Sequence, residues 1–358
     1  MKKPIYFLVA LFALYSPTIF GQDSSAIDTN STLVVVEGQE AELAYNDGLK
    51  AFQSKNYQAA ITAFNKAISI NPKFAKAFFN RGNVKIEMKD YDGAIADLTQ
   101  AIQLDSTTSI NKSYYSRARA KHLKNDIPGA LQDYEAAIEK GYKDAKAPYY
   151  VGMIKFLDND FEGALTAYNK AIELDPKYAF AYNDRGSTYR KLKKYDQAVA
   201  DYKKAIQLDS KLYFVYNNLG STYRKLKKYD DAISAFTQAI NAKSDYYIAY
   251  NNRGSAKFDK KDYDGAINDF KKATELKKDY AFAYNNWGTA LMKLKDYEKA
   301  IPLFDKAIEL NAQYGVAYLN KGIANEELKH FDIACQSWKK ASELGIKTAD
   351  GYLEECNN

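Results

Sequence analysis

Segments that begin at Ala179, Tyr213, Tyr247 and Ala281 align without gaps at an interval of 34 residues, each reading much like AFAYNDRGSTYRKLKKYDQAVADYKKAIQLD. Extended in both directions, this register gives nine units: 41–74, 75–108, 111–144, 145–178, 179–212, 213–246, 247–280, 281–314 and 315–348. Ser109 and Ile110 fall outside it. A fixed period of this length marks a stacked-repeat architecture, in which no unit buries its apolar surface alone. Within each half unit the apolar residues follow the helical period, not the alternation of a strand. The sequence predicts an all-α solenoid of nine helical hairpins.

The columns of the alignment explain the period. Position 8 is glycine in eight units and Ala118 in the third, while positions 20 and 27 are alanine in all nine. Small residues recurring on two helices let those helices approach closely, and bulky residues fill the remaining gaps. The bulky set includes Tyr182, Tyr216, Tyr250 and Tyr284 at position 4, Tyr57, Tyr91 and Phe161 at position 17, and Phe64, Tyr202, Phe236 and Trp338 at position 24. This accounts for much of the chain's unusual store of 31 tyrosines. The glycines fall on the register, so helix packing is their expected task. Asn71-Pro72 and Asp175-Pro176 mark turns between units.

These residues resemble the tetratricopeptide repeat family, and the resemblance covers 308 residues, from 41 to 348. It implies a right-handed superhelix in which the first helix of each hairpin lines a concave groove. It also implies an adaptor for other proteins, a class whose members differ widely in partner. In this family first-helix positions 2, 5, 6, 9, 12 and 13 line the groove. Position 6 here carries Asn46, Asn80, Asn218, Asn252, Asn286 and Asn320, interrupted by Ser116, Tyr150 and Asp184. Position 5 adds Asn183, Asn217, Asn251 and Asn285. The column resembles the asparagine ladder of the O-linked GlcNAc transferase repeats, where amides hold the main chain of an extended peptide. An amide offers a donor and an acceptor, and so fits a peptide unit of any sequence. Ordering of the helix start is the competing role for these asparagines.

Two further groove features stand out. Arg190 and Arg224 at position 12, followed by Lys191 and Lys225, form a candidate basic patch for acidic side chains or a C-terminal carboxylate. A solvated charged face is the plainer alternative. In the fourth unit Tyr149, Tyr150, Met153 and Phe156 occupy groove positions with Leu157, a candidate exposed apolar contact patch. The competing expectation is that irregularity over 109–148, with Pro128 and Gly141, distorts the stack and buries it. The lysine–asparagine–arginine carboxylate clamp of chaperone-binding relatives is not discernible.

The ends carry separate signals. Lys2 and Lys3, the apolar run from Ile5 to Tyr15 and the small Gly21 have the layout of a secretory signal peptide over 1–21. Residues 22–40 read as a flexible linker, with Leu33-Val34-Val35-Val36 as an isolated β-prone run. The expected compartment is the periplasm or outside of a bacterial cell, with no direct membrane insertion after cleavage. Cys335 follows the position-20 alanine of unit nine, and Cys356 falls where a tenth first helix would carry its position 8. Neighbouring helices of a stack bring such positions together, and export permits oxidation. A disulfide closing about 20 residues would contribute on the order of 3 kcal/mol and hold down a short capping helix over 349–358. Free thiols are the alternative.

Composition excludes other classes. Hydrophobic residues are 46% and charged residues 27%, and the net charge of +6 is too mild to point to nucleic acid. Two histidines, His122 and His330, and two scattered cysteines do not make a metal site, and no cofactor is implied. There is no phosphate-cradling glycine loop or nucleophile elbow, and no room for a separate catalytic domain, so the expectation is a non-enzyme. The leading expectation is a monomeric envelope adaptor that binds a peptide or protein surface. The runner-up is a structural subunit of a secretion, motility or polysaccharide assembly, or a self-associating array.

Overall fold

The computed structural model describes residues 39–105, 107 and 110–356. The expected signal peptide, the run Leu33–Val36, Ser109 and nearly all of the expected linker lie outside these. The described residues form nineteen helices and no strand. Nine hairpins pair α1 (Gln39–Gln53) with α2 (Tyr57–Ile70), α3 (Ala75–Glu87) with α4 (Tyr91–Leu104), α5 (Ile110–Leu123) with α6 (Ile127–Glu139), and α7 (Lys146–Leu157) with α8 (Phe161–Leu174). They continue with α9 (Ala179–Lys191) and α10 (Tyr195–Leu208), α11 (Tyr213–Lys225) and α12 (Tyr229–Ala242), and α13 (Tyr247–Asp259) and α14 (Tyr263–Leu276). The last two are α15 (Ala281–Lys293) with α16 (Tyr297–Leu310) and α17 (Gly315–Glu327) with α18 (Phe331–Glu343), followed by the short α19 (Thr348–Glu355).

Each hairpin closes because a small residue on the first helix faces a bulky one on the second, Leu98 in the second unit and a ring in the others. A Cβ on Gly220 would lie 2.8 Å from the ring of Phe236, so the two helices pass at a distance only glycine permits. Ala60, Ala198 and Ala300 at position 20 are completely buried, as are Ala67, Ala205 and Ala307 at position 27. Every hairpin turn ends its first helix on a left-handed residue at position 15: Lys55, Lys89, Asn125, Asn159, Lys193, Lys227, Lys261, Lys295 and Lys329, with φ between 57° and 72°. In the second unit the amide of Lys89 bonds the Ile86 carbonyl and that of Asp90 the Lys85 carbonyl, the paired closure of a Schellman cap.

The second helices are capped by side chains in some units. Asp90, Asp126, Asp160 and Asp262 accept from the amides of Gly93, Gly129, Gly163 and Gly265, at 2.9–3.0 Å. A Cβ on Gly93 would meet the Asp90 carboxylate at 2.2 Å. These four glycines therefore serve the cap rather than helix packing, which corrects the expectation that all register glycines are packing residues.

A second system joins consecutive hairpins. Arg81, Arg117, Arg185 and Arg253 at position 7 each make a two-pronged bond to a buried aspartate at position 23: Asp97, Asp133, Asp201 and Asp269. The remaining arm of each guanidinium reaches the preceding unit, at Asn65, Thr99, Asn169 and Thr237. Lys85, Lys121 and Lys257 add a third ion at 2.8–2.9 Å to three of these aspartates. A planar fork suits this bidentate bridging, and the two charges satisfy each other out of water.

First helices of successive hairpins touch at most junctions, the one between α5 and α7 excepted, whereas second helices reach the next hairpin through its first helix. The array therefore curves with the first helices inside. The link from α6 to α7 departs from the others, with Gly141 at φ +84° ending α6. The link from α18 to α19 repeats it at Gly345, φ +83°. At the far end Cys335 and Cys356 are joined by a disulfide, with their Cα atoms 5.8 Å apart, and Tyr352 stacks on the buried Trp338 at 4.7 Å.

Candidate binding groove

The asparagines of the inner face hydrogen-bond to one another, each bond crossing from one hairpin to the next. Asn218 donates to Asn183, Asn252 to Asn217, Asn286 to Asn251 and Asn320 to Asn285, all at 2.9–3.1 Å. In every pair the donor is at position 6 and the acceptor at position 5 of the unit before. The position-5 amides are buried and the position-6 amides partly exposed. Asn320 also donates to Thr289 at 3.2 Å. The same geometry recurs with other chemistry near the start, where Asn80 donates to the Tyr45 hydroxyl at 2.9 Å. Asn218, Asn252 and Asn286 each commit one N–H to this seam and keep the other, whereas Asn320 uses both. The row is thus both a seam between hairpins and a line of fixed peptide-like groups.

Between the fourth and fifth hairpins the seam changes character. Tyr149 replaces the position-5 asparagine and Asp184 the position-6 one. The Tyr149 hydroxyl donates to Asp184 Oδ2 at 2.8 Å, and Asn183 donates to Oδ1 at 2.8 Å. Burial pushes the Asp184 carboxyl up to about 6, against the two hydrogen bonds that favour its charge. Burial also holds the Tyr149 phenol far above its ordinary range, with the nearby Asp184 charge adding to it.

The rest of the fourth-unit patch is a half-buried aromatic mass, not an open apolar surface. Tyr150 stacks on Tyr134 at 5.2 Å, and Tyr149 packs on Tyr168 and Tyr178. His122 stands edge-on to Tyr134 and Tyr150, and burial lowers its pKa. Met153 is half-buried and Phe156 packs edge-to-face on Phe161 at 5.6 Å. Leu157, 67% exposed, is the open part of this region. The two groove arginines differ. Arg224 is bridged to Asp259 of the next hairpin at 2.6 Å, so its charge is matched, whereas Arg190 makes no ion pair among the described residues.

Sequence reasoning overlooked the arginine–aspartate bridges and the cross-hairpin pairing of the amides. Sixteen-residue spacing of arginine and aspartate in four units was a visible signal for the first. The offset of 35 residues, one period plus one, was the signal for the second.

With this geometry in place, comparisons with known proteins agree on its class. The sequence profile of the tetratricopeptide repeat matches residues 75–107, 179–212, 213–246 and 281–314, and that of the TPR repeat matches 48–88, 152–192 and 254–295. The chain belongs to the tetratricopeptide repeat family, and its repeats make it a protein-interaction scaffold. It is 28% identical over 167 residues to the DnaJ homolog subfamily C member 7 homolog of Dictyostelium discoideum, which is 40% of this chain and 31% of that one. It is 36% identical over 100 residues to serine/threonine-protein phosphatase 5 of Homo sapiens, 27% of this chain and 20% of that one. The chain therefore spans about a third or less of the length of these relatives. It shares its fold with a tetratricopeptide repeat protein from Parabacteroides merdae, at 19% identity and a TM-score of 0.52, over 71% of this chain and 97% of that one.

Proposed function

We propose that the chain is an exported, monomeric, non-enzymatic adaptor of the bacterial cell envelope whose inner face holds an extended segment of another protein. The observation that carries this reading is the continuous amide row from Asn183 to Asn320, fixed in place by its own cross-hairpin bonds. Groups held in one orientation before binding lose little freedom on binding. The leader-like Lys2, Lys3 and Ile5–Tyr15 support export, and the disulfide fits an oxidising compartment. Arg190, Lys191 and Lys225 supply positive charge on the far rim of the same face.

The test is affinity capture from the native envelope with residues 22–358 as bait, beside a variant carrying Asn218→Ala, Asn252→Ala and Asn286→Ala that retains its helicity. A partner recovered by the native bait and lost by the variant places binding at the amide row. Recovery of the same partners by both baits overturns the groove reading.

A further inference from the structure

Position 2 lies one helical turn before the amide row, and its chemistry changes abruptly along the array. The second, third and fourth hairpins carry Lys76, Lys112 and Lys146 there. The fifth to ninth carry Phe180, Phe214, Ile248, Phe282 and Val316. Among the described residues none of the three lysines makes an ion pair, although 22 such pairs occur there. The apolar residues are unusually open for their kind: Phe180 is 41% exposed, Phe282 50% and Val316 38%. The rings of Phe180 and Phe214 stack at 6.0 Å, which joins the row between the fifth and sixth hairpins. A lone exposed phenylalanine needs no explanation, but five apolar residues in register beside fixed amides form a contact surface.

Resting on the groove reading above, we infer that the occupant is a two-part extended peptide. One stretch is acidic and lies against Lys76, Lys112 and Lys146. The other carries large apolar side chains and lies against the row from Phe180 to Val316. Packed helices are spaced by 8–10 Å and an extended chain rises about 3.3 Å per residue, so each hairpin meets about three residues of peptide. The acidic stretch therefore spans about nine residues and the apolar stretch about fifteen, with the key side chains recurring about every third position. Charge complementarity selects the acidic partner, since three ammonium groups without an ion pair among the described residues repel a basic chain and attract carboxylates. The amide row beside the apolar stretch supplies main-chain bonds without regard to sequence.

The experiment is selection from a displayed library of random peptides about 24 residues long, using the full mature chain as target. Enriched peptides are expected to hold an acidic block and an apolar block in one fixed order. Lys76→Glu, Lys112→Glu and Lys146→Glu together should weaken their binding about tenfold or more at low salt, an effect that shrinks as salt rises. Phe180→Ser with Phe282→Ser should weaken it about as much, with little salt dependence. All five positions are partly or fully exposed, and circular dichroism of each variant checks that it folds. Enrichment of peptides without the two blocks, or binding that ignores both variants, overturns the two-part ligand while leaving a peptide groove in place. Failure of any peptide to enrich overturns both.

Discussion

The hydroxyl of Tyr149 donates to the carboxylate of Asp184 at 2.8 Å, in the place where the next four junctions pair two asparagine amides. A carboxylate has taken the position of a neutral amide at a buried seam. Its carboxyl is raised to about 6, whereas in the unfolded chain it returns to about 3.9. The folded chain thus binds this proton more tightly. The stabilisation is complete below about pH 4 and is lost as pH rises through about 6. Asp184→Asn should raise stability by about 3 kcal/mol at pH 7.5 and by little at pH 4. Urea denaturation of both proteins across this range checks it, and a difference that does not change with pH refutes the assignment.

The buried ion pairs lead to a second expectation. Asp269→Ala leaves the half-buried Arg253 guanidinium without its carboxylate and should cost about 3 kcal/mol. The sixth hairpin fills the equivalent places with Leu219, Tyr223 and Ala235. Importing that set as Arg253→Leu, Lys257→Tyr and Asp269→Ala should recover most of the loss. Thermal denaturation of the three-fold variant below that of Asp269→Ala alone would refute the interpretation.

Helix caps are missing where lysine stands at position 16. Lys194 and Lys228 give α10 and α12 no side-chain cap, unlike Asp90 or Asp262. Lys194→Asp with Gln197→Gly should install the absent pair and add about 1 kcal/mol. Lys194→Asp alone should add less, because the Cβ at position 197 crowds the carboxylate, as it would at Gly93. Equal effects of the single and double changes would contradict the steric account.

Reduction of the disulfide tests the terminal cap. The bond spans 21 residues and ties α18 to an eight-residue helix too short to persist alone. Reduction, or Cys356→Ser, should cost about 3 kcal/mol. Amide hydrogen exchange should accelerate in residues 346–356 and not in the first six hairpins, since stability in such arrays is local. Protection unchanged in α19 after reduction would mean that Trp338 and Tyr352 hold it unaided.

The sequence made the architecture plain because a stacked array repeats its packing problem every 34 residues, and Ala60, Phe64 and Ala67 answer it in the same columns as Ala232, Phe236 and Ala239. The site was harder to read. Groove asparagines such as Asn217 and Asn252 were visible as columns, but which amide bonds to which depends on the superhelical stagger that brings position 6 over position 5 of the unit before. Arg224 reads as a free charge until Asp259 is seen beside it. The aromatic patch at Tyr149 and Tyr150 reads as open until the rings of Tyr134, Tyr168 and Tyr178 close over it. Each of these depends on which side chains meet across hairpins.

Because each hairpin rests only on its neighbours, the molecule is mechanically a chain of nearly equal links. Pulled from its ends, it yields by peeling one hairpin after another, each releasing roughly 110 Å of contour. The bond between Cys335 and Cys356 withholds its enclosed segment from that extension, so tension applied through the C-terminus enters at α18 and the last cap stays intact while the inner links open.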